Sequence, residues 1–388
     1  MTDPSLALYV HMPWCVRKCP YCDFNSHQLK SAAPDKSYID ALIRDFDMEL
    51  PRLRQRRIDT VFFGGGTPSL FQPEDFSHLL GALRRRIAFA DDAEVTLEAN
   101  PGTIERGRFA GYRDAGINRV SLGAQTFAPR ALEILGRIHS ADDTHRAVAE
   151  LRAARLENFN LDLMYALPGQ ASEEALEDVR IACALGPSHI SYYQLTLEPG
   201  TVFHARPPPL PDEEAAWRIQ SAGQKFLADA GYAQYEVSAY AREGARCRHN
   251  LNYWSFGDYV GVGAGAHGKI SLALPQSILR TTKPKQPREY QEQVRRASAS
   301  LAGAAVIGES SFISPTDLPF EFMLNALRLN DGFTMREYRR RTGLDMNSIA
   351  AKLAEAQVRG LLDDRFDGWR PTDLGRRFLN DLQGSFLP

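Results

Sequence analysis

The sequence lacks any apolar run that approaches the roughly 20 residues needed to span a membrane. Its first residues also lack the charged start, apolar core and small-residue cleavage site of a secretory signal. Neither sign of charge is in large excess, because 46 lysines and arginines face 48 aspartates and glutamates, a formal net charge of −2. We therefore expect a cytoplasmic protein with no integral membrane segment and no global preference for nucleic acid.

Cysteine is scarce, and five in 388 residues is an odd number that makes a poor disulfide framework. Three of the five, Cys15, Cys19 and Cys22, nevertheless lie close together, directly after the first predicted strand. Clustered thiols that stay reduced in the cytosol indicate a metal site. Fe–S clusters normally take four cysteines, so three would leave one iron of a [4Fe–4S] cluster open to a small molecule.

A zinc ion held by these thiols together with His27 or Asp23 is the main alternative. Zinc knuckles usually contain two closely spaced cysteine pairs, whereas Cys183 and Cys247 are isolated in the sequence. The spacing therefore favours the iron–sulfur cluster.

The first 240 residues alternate between β-rich segments and segments with helical periodicity. Strands are predicted at 6–11, 59–65, 94–100, 119–125, 159–165 and 189–195. Helices are predicted at 35–53, 73–87, 103–115, 127–136, 141–155, 172–185 and 212–230. Six β-then-α units imply a parallel sheet, either doubly wound or TIM-like, and they are too few for a complete eight-fold barrel. We predict an α/β fold built on a partial (β/α)6 TIM-like barrel.

Three regions are expected along the chain. Residues 1–240 form the partial barrel, 241–310 a connecting region, and 311–388 a C-terminal α+β winged-helix-like domain of helices and a hairpin that turns at Asp367-Gly368. Modules of this kind often bind DNA, and the three arginines at 339–341 would suit DNA binding. Acidic residues flank these arginines, however, so a solvent-exposed helix face explains them equally well. We therefore predict no nucleic-acid partner.

Glycine-rich and polar motifs follow the predicted strands at the ends where parallel βα-barrels place their active sites. The second strand ends in Gly64-Gly65-Gly66-Thr67-Pro68, where missing side chains let the backbone approach a ligand. Glu98, at the end of the third, could accept hydrogen bonds from ribose hydroxyls. The fourth strand ends at Gln125, and the fifth carries Asp162, a costly residue to bury unless it contacts a ligand or pairs with a group such as Arg137.

The C-x3-C-x2-C spacing, with the aromatic Tyr21 before the third cysteine, resembles the signature of the radical SAM superfamily. The resemblance implies that S-adenosylmethionine (SAM) chelates the open iron of the cluster. It also implies an electron donor for the cluster, whose electron cleaves SAM to methionine and a 5′-deoxyadenosyl radical.

Nearly the whole chain is similar to the oxygen-independent coproporphyrinogen III oxidase family and its HemW-type heme chaperone branch. The shared motifs are LYVHMPWC, FFGGGTPS, LEANPGT, GAQTF, GRIHS, LDLMYALPGQ and YYQLTLEPGT. The resemblance implies that one SAM contacts Tyr9, Gly65, Gly66, Thr67, Glu98 and the 263–267 segment. It implies that the positions matching a second SAM of the oxidase are Tyr21, Gln125, Arg137, Asp162 and Thr196.

Three departures from the oxidase favour the chaperone branch. Phe24 stands where the oxidase has a fourth cysteine, the first strand begins within ten residues of Met1 rather than after an N-terminal extension, and 249–254 match the H-N-x-x-Y-W motif of the chaperones. The resemblance then implies a protein that binds heme and transfers it to acceptor hemoproteins. The alternatives are an oxidase that decarboxylates coproporphyrinogen III to protoporphyrinogen IX in porphyrin biosynthesis, and a regulator that acts through the C-terminal domain.

Heme iron is held by His, Cys, Met or Tyr in proteins, and His249 lies in the chaperone motif. We therefore take His249 as the leading candidate for an axial heme ligand. The alternative is that His249 has a structural role and hydrogen-bonds the backbone at the open end of the barrel. His11, next to the cysteines, is expected to support the site rather than to bind metal.

Overall fold

The computed structural model describes residues 5–30, 36–53, 56–102, 107–272, 277–299 and 307–388. The strands are β1 Leu6–Met12, β2 Trp14–Cys15, β3 His27–Gln28, β4 Ile58–Gly65, β5 Phe89–Ala99, β6 Arg119–Gln125, β7 Phe159–Tyr165, β8 His189–Gln194, β9 Ala233–Gln234, β10 Ala239–Ala241, β11 Asp258–Val262, β12 His267–Ser271, β13 Ile278–Thr282, β14 Glu309–Phe312, β15 Phe333–Thr334, β16 Leu362–Arg365 and β17 Gly368–Pro371. The helices are α1 Ser37–Leu53, α2 Pro73–Arg84, α3 Phe109–Ala115, α4 Pro129–Ile134, α5 Ala141–Ala153, α6 Ser172–Ala184, α7 Val202–Ala205, α8 Glu213–Asp229, α9 Arg248–Trp254, α10 Pro287–Ala299, α11 Leu318–Ala326, α12 Met335–Thr342, α13 Ala350–Val358, α14 Asp373–Arg377 and α15 Leu379–Gly384. Among the helices in these ranges, none is long and apolar enough to cross a membrane.

Twelve strands form one sheet in the order β14–β13–β12–β11–β1–β4–β5–β6–β7–β8–β10–β9. The centre of the sheet consists of the six predicted strands, β1 and β4–β8. They are parallel, and each pairs with the strand of the preceding βα unit. Because such crossovers are right-handed in nearly all proteins, a consecutive order places the helices on one face of the sheet. A doubly wound sheet would instead reverse its strand order. The predicted partial (β/α)6 barrel is therefore confirmed.

The sheet continues beyond the six predicted strands. β11 pairs in parallel with β1, and β12, β13 and β14 follow in antiparallel order. These strands come from the region expected to connect the two domains, so this region completes one side of the barrel sheet.

Element boundaries differ from the predictions where tertiary pairing overrides local preference. β5 begins at Phe89 rather than at 94, because its start pairs with Ile58 of β4 despite two exposed aspartates, which are poor strand formers. α3 begins at Phe109, and residues 103–106 of the helix predicted at 103–115 lie outside the described residues. α4 covers six residues of the helix predicted at 127–136.

The C-terminal α+β domain is confirmed, with α11–α13 followed by a hairpin, and β15, β17 and β16 form its small sheet. Its separate core surrounds Phe322, whose ring meets those of Phe256, Phe333 and Tyr338 edge-on. The predicted turn at Asp367-Gly368 is wrong by one residue, because Gly368 already pairs in β17. A Cβ on Gly368 would lie 2.1 Å from the Phe333 carbonyl oxygen, so this strand position needs glycine.

A buried ion group connects the barrel helix α1 to the added part of the sheet. The Lys283 ammonium lies 2.6 Å from Asp45 and 2.8 Å from Glu49, both on α1. Asp45 also accepts hydrogen bonds from the Tyr290 hydroxyl and from the backbone N–H of Gly263. Buried charges are costly unless paired, so this group fixes α1, α10 and the end of β13 relative to one another.

Replacing Lys283 with methionine should lower the free energy of unfolding by about 3–5 kcal/mol, because the buried Asp45 loses its counter-charge and Glu49 keeps only that of Arg52. Urea unfolding followed by far-UV circular dichroism measures the change. The matched control is Lys225→Met, since Lys225 forms an exposed pair with Asp229 on α8. That control should change stability by less than about 1 kcal/mol. Equal effects of the two substitutions would contradict the assignment.

Candidate functional site

The cysteines lie in residues 13–28, here called the cysteine loop, at the carboxyl ends of the barrel strands. The loop leaves β1 and is closed by the parallel pairing of β2 with β3. It is attached to the end of β4 because the backbone N–H of Gly66 donates to the Met12 carbonyl and that of Thr67 to the Trp14 carbonyl, at 2.8 and 2.7 Å. Backbone contacts of this kind place the loop independently of its side chains.

Two glycines of the predicted motif allow this close approach. Gly65 has φ of 112°, and a Cβ on it would lie 2.4 Å from the His11 ring. A Cβ on Gly66 would lie 2.5 Å from the carbonyl oxygen of Trp14. The glycine motif is therefore required to dock the cysteine loop, in addition to any contact with a ligand.

Each cysteine sulfur contacts a polar side chain of the site. The pairs are Thr67 Oγ1 with Cys15 Sγ at 3.5 Å, Arg137 Nη1 with Cys19 Sγ at 3.7 Å, and Ser26 Oγ with Cys22 Sγ at 3.7 Å. Burial raises the pKa of the Cys15 and Cys22 thiols, so a bound cation is needed to hold them as thiolates near neutral pH.

Three cysteines of one short loop meet at one cavity. In a [4Fe–4S] cluster each cysteine thiolate binds a different iron, so the chemistry of this donor set suits a cluster held at three of its irons.

The cysteines open into a cavity of about 350 Å³, the cysteine cavity. The structure brings to its wall nearly every residue that the sequence pointed to for the cluster or for SAM. These are Cys15, Cys19, Tyr21, Cys22, Gly65, Gly66, Thr67, Glu98, Gln125, Arg137, Asp162 and Thr196. Tyr9 lies instead in a neighbouring cavity, and so do Gly265 and His267 of the 263–267 segment.

Hydrogen bonds hold the polar side chains of the cysteine cavity in place. Arg137 donates to the Asn100 side chain and, at 2.9 Å, to the Gly123 carbonyl. Asp162 does not pair directly with Arg137, because its oxygens accept hydrogen bonds from Ser121 at 3.1 Å and Asn160 at 2.8 Å.

Gln125 stands where the ladder between β6 and β7 shifts register, with φ of 67°. Left-handed backbone is rare for a residue other than glycine and often marks a functional position. Its side-chain oxygen accepts a hydrogen bond from Tyr193 at 2.7 Å, which fixes the amide at the wall of the cysteine cavity.

Glu98 lies between the two cavities and lines both. Burial raises the pKa of its carboxyl to about 8, with Asp162 acting in the same direction, while the backbone N–H of Gly65 opposes both through a 3.1 Å hydrogen bond. At pH 7 the carboxyl is therefore mostly neutral.

The neighbouring cavity is larger, about 880 Å³, and we call it the aromatic cavity. Its aromatic side chains are Tyr9, Phe24, Tyr253, Trp254, Phe256 and Tyr259, and its basic side chains are Lys18, Lys269, Arg280 and Lys285. It shares Asp23, Phe24, Ser26, Gly65 and Glu98 with the cysteine cavity. The two cavities are thus separated by one thin wall.

His249 lines neither cavity. Its ring is buried, with Nδ1 2.8 Å from the Thr60 hydroxyl and Nε2 3.0 Å from the Tyr253 hydroxyl. Burial lowers the pKa of His249 to about 3, so the imidazole is neutral and hydrogen-bonded at both nitrogens. In this arrangement His249 positions Tyr253, and its role as a heme ligand stays a prediction.

Sequence reasoning missed the part of the aromatic cavity that β11–β13 build. Tyr259, Lys269 and Arg280 line it from this side of the sheet. The available signal was the alternation of His267 with Lys269, because residues two apart in a strand point to the same face. The pairing of β12 with β13 that completes the wall has no local signature.

A partial βα-barrel that presents three cysteines of one loop at its strand ends defines a radical SAM protein. In agreement, residues 9–182 match the family model of the radical SAM superfamily and residues 313–378 that of the HemN C-terminal domain. The chain is 46% identical over 384 residues to the heme chaperone HemW of Escherichia coli (strain K12), covering 99% of this chain and 98% of that protein. The chain belongs to the HemW family.

Other comparisons agree with this assignment. The heme chaperone HemW of Haemophilus influenzae is 46% identical over 388 residues, covering 99% of this chain and 98% of that protein. The solved structure of coproporphyrinogen III oxidase (HemN) from Escherichia coli matches with a TM-score of 0.82 at 22% identity, covering 99% of this chain and 90% of that one. At 22% identity, the likeness to the oxidase structure is one of fold alone. The 46% identity to the two chaperones therefore favours the chaperone branch over the oxidase.

Gly66→Ala should destabilise the fold by about 1–3 kcal/mol, because the new methyl group meets backbone rather than a movable side chain. It should also lower the iron and sulfide bound per chain after anaerobic reconstitution. Gly384→Ala is the control, since a Cβ there meets nothing within 4 Å. Wild-type cluster content in Gly66→Ala would show that the loop does not depend on this contact.

SAM affinity should rise with pH, because Glu98 ionises as the pH passes its raised pKa of about 8 and then attracts the sulfonium cation. The ionised fraction grows about tenfold between pH 7 and 9, and the dissociation constant should fall by up to that factor. Glu98→Gln should remove this part of the pH dependence. Isothermal calorimetry on the reconstituted wild-type and Glu98→Gln proteins measures the dissociation constant at each pH. Protonation of SAM itself affects both proteins equally, so it cancels in the comparison.

Proposed function

We propose that this protein holds SAM on a [4Fe–4S] cluster in the cysteine cavity, binds heme in the aromatic cavity and transfers it to acceptor hemoproteins. The observation that carries the proposal is the pair of adjoining cavities with different chemistry. One contains the three thiols together with the polar groups of the strand ends, and the other is larger and lined by aromatic and basic side chains. The names of the relatives supply the cargo, heme.

The residues of the cysteine cavity suit a cluster and a nucleoside. Cys15, Cys19 and Cys22 would ligate three irons and leave the fourth to the amino acid part of SAM. When bound, the reduced cluster supplies an electron for the reductive cleavage of SAM. Glu98 faces the same cavity and would accept hydrogen bonds from ribose, and Arg137 donates to the Cys19 sulfur.

The residues of the aromatic cavity suit a porphyrin. Its volume of about 880 Å³ is at the upper end of the range for small-molecule sites. Aromatic side chains offer flat apolar surface to a macrocycle. Basic side chains offer counter-charge to the two propionates that heme carries.

The proposal extends to the partners and the compartment. An electron donor is required if the cluster is to be reduced, and apo-hemoproteins are the acceptors. We place the protein in the cytoplasm, where thiols of the cysteine loop stay reduced until the cluster is assembled.

Anaerobically reconstituted protein should bind one heme per chain, seen as a saturable Soret band, and should pass it to apomyoglobin. Two variants test the division between the cavities. Thr196 lines only the cysteine cavity, so Thr196→Trp should weaken SAM binding and leave heme binding unchanged. Asn325 lines only the aromatic cavity, so Asn325→Trp should weaken heme binding and leave SAM binding unchanged.

The same preparation tests the oxidase alternative. Incubation of the reduced protein with coproporphyrinogen III and SAM should yield no protoporphyrinogen IX. Appearance of that product, or failure of the wild-type protein to bind heme, would overturn the proposal.

A further inference from the structure

We infer that His267 holds the heme iron through Nε2 and that Arg280 and Lys285 hold the propionates. The inference rests on the proposed function and specifies the site within the aromatic cavity. It assigns the axial ligand to β12 rather than to the H-N-x-x-Y-W motif. All three residues line the cavity.

Strand geometry places the iron ligand and a cation on one surface. β12 and β13 are antiparallel, with His267 opposite Thr282 and Lys269 opposite Arg280. Directly opposed residues share a face of the sheet, and so do residues two apart on one strand. The four side chains therefore project together, and three of them line the cavity.

His267 has the free nitrogen that iron needs. Its Nδ1 lies 3.3 Å from the hydroxyl of Thr282, the residue opposite it in β13. When Nδ1–H donates to this hydroxyl, Nε2 keeps its lone pair and faces away from the backbone. Within the described parts of the chain, no hydrogen bond to Nε2 is found.

The other histidines of the aromatic cavity are less suitable. Both ring nitrogens of His11 are occupied, by the Tyr9 hydroxyl at 3.0 Å and the Asn25 carbonyl at 2.8 Å. His27 uses Nε2 in a 3.3 Å contact with the Lys285 carbonyl. Only Nδ1 of His27 is then available. This nitrogen lies close to the main chain, so a porphyrin whose iron bound it would clash with the backbone of His27.

Charge in the cavity selects a dianionic ligand. Burial lowers the pKa of His267, and the nearby Arg280 and Lys285 act in the same direction. The Lys285 side chain is exposed, and Arg280 stays partly exposed although it pairs with Glu321. Two propionates placed beside the iron ligand would meet these two cations, whereas Lys269 is buried in its pair with Asp258.

The position also suits release of the ligand. His267 is exposed, in contrast to the buried His249. A ligand bound at an exposed strand residue at the mouth of a cavity is reachable by an acceptor protein, while its other edge stays among the aromatic side chains.

The test is an anaerobic heme titration of the reconstituted full-length chain, reading the Soret band. His267→Ala should shift the Soret maximum and weaken binding at least about tenfold, and free imidazole should restore the wild-type spectrum. His145→Ala, on the exposed face of α5 away from both cavities, is the matched control and should keep that spectrum, whereas His27→Ala and His249→Ala test the rival ligands. Circular dichroism and iron content show that each variant is folded and loaded.

The propionate assignment is tested with heme dimethyl ester, in which both carboxylates are esterified. The wild-type protein should bind the ester about tenfold more weakly than heme. In the double variant Arg280→Gln/Lys285→Gln this difference should disappear, whereas Lys225→Gln, on the remote α8, should retain it.

An unchanged spectrum and affinity in His267→Ala, or a shift confined to His249→Ala, would overturn the axial assignment while the proposed function stands. An equal preference for heme over its ester in wild type and double variant would overturn the propionate assignment. Absence of saturable heme binding by the wild-type protein would overturn both the inference and the proposed function.

Discussion

The attachment of the cysteine loop to the end of β4 is the contact on which the rest of the site depends. Two backbone hydrogen bonds, from Gly66 and Thr67 to the carbonyls of Met12 and Trp14, fix where the loop leaves the barrel. They require β4 to approach the loop more closely than any side chain at Gly65 or Gly66 would allow. Once the loop is fixed, its thiols, the residues between Cys22 and β3, and the wall between the cavities are fixed as well.

The same attachment explains why the two cavities share residues. Asp23, Phe24 and Ser26 follow the third cysteine directly and line both cavities. Phe24 is 58% exposed, so a large apolar ring stands in the opening rather than in a core. Ligands in the two cavities would therefore both contact this segment.

The sequence predicts much of this arrangement because the relevant signals are local. The order of βα units fixes the central sheet, and the cysteines and the strand-end motifs belong to short contiguous segments. Of the 25 residues that line the cysteine cavity, 12 could be named in advance, some from the strand ends that parallel strands bring to one edge and the others from the family resemblance. The sequence predicted that the glycine motif contacts a ligand. Its packing against the backbone of Trp14 depends on tertiary structure and could not be predicted from the sequence.

What escaped prediction depends on pairing between distant segments. Lys283 meets Asp45 across 238 positions of sequence, and His249 meets Thr60 across 189. A single sequence shows a lysine and a histidine but neither their burial nor their partners. The short strands β11–β14 escaped for the same reason, because segments of four or five residues become strands here only by pairing with β1 and with one another.

A heme carrier has no evident need for radical chemistry, yet its cluster site is complete. The segment shared by the cavities offers a structural reason for the cluster that does not require SAM cleavage. Ser26 lies 3.7 Å from the Cys22 sulfur, and Asn25 donates hydrogen bonds to the carbonyls of Ala264 and Lys285 at the far side of the aromatic cavity. A cluster ligated by Cys22 would therefore also hold the segment around Asn25 against this wall of the aromatic cavity. In this fold, the cysteine cavity and the aromatic cavity depend on the same short segment.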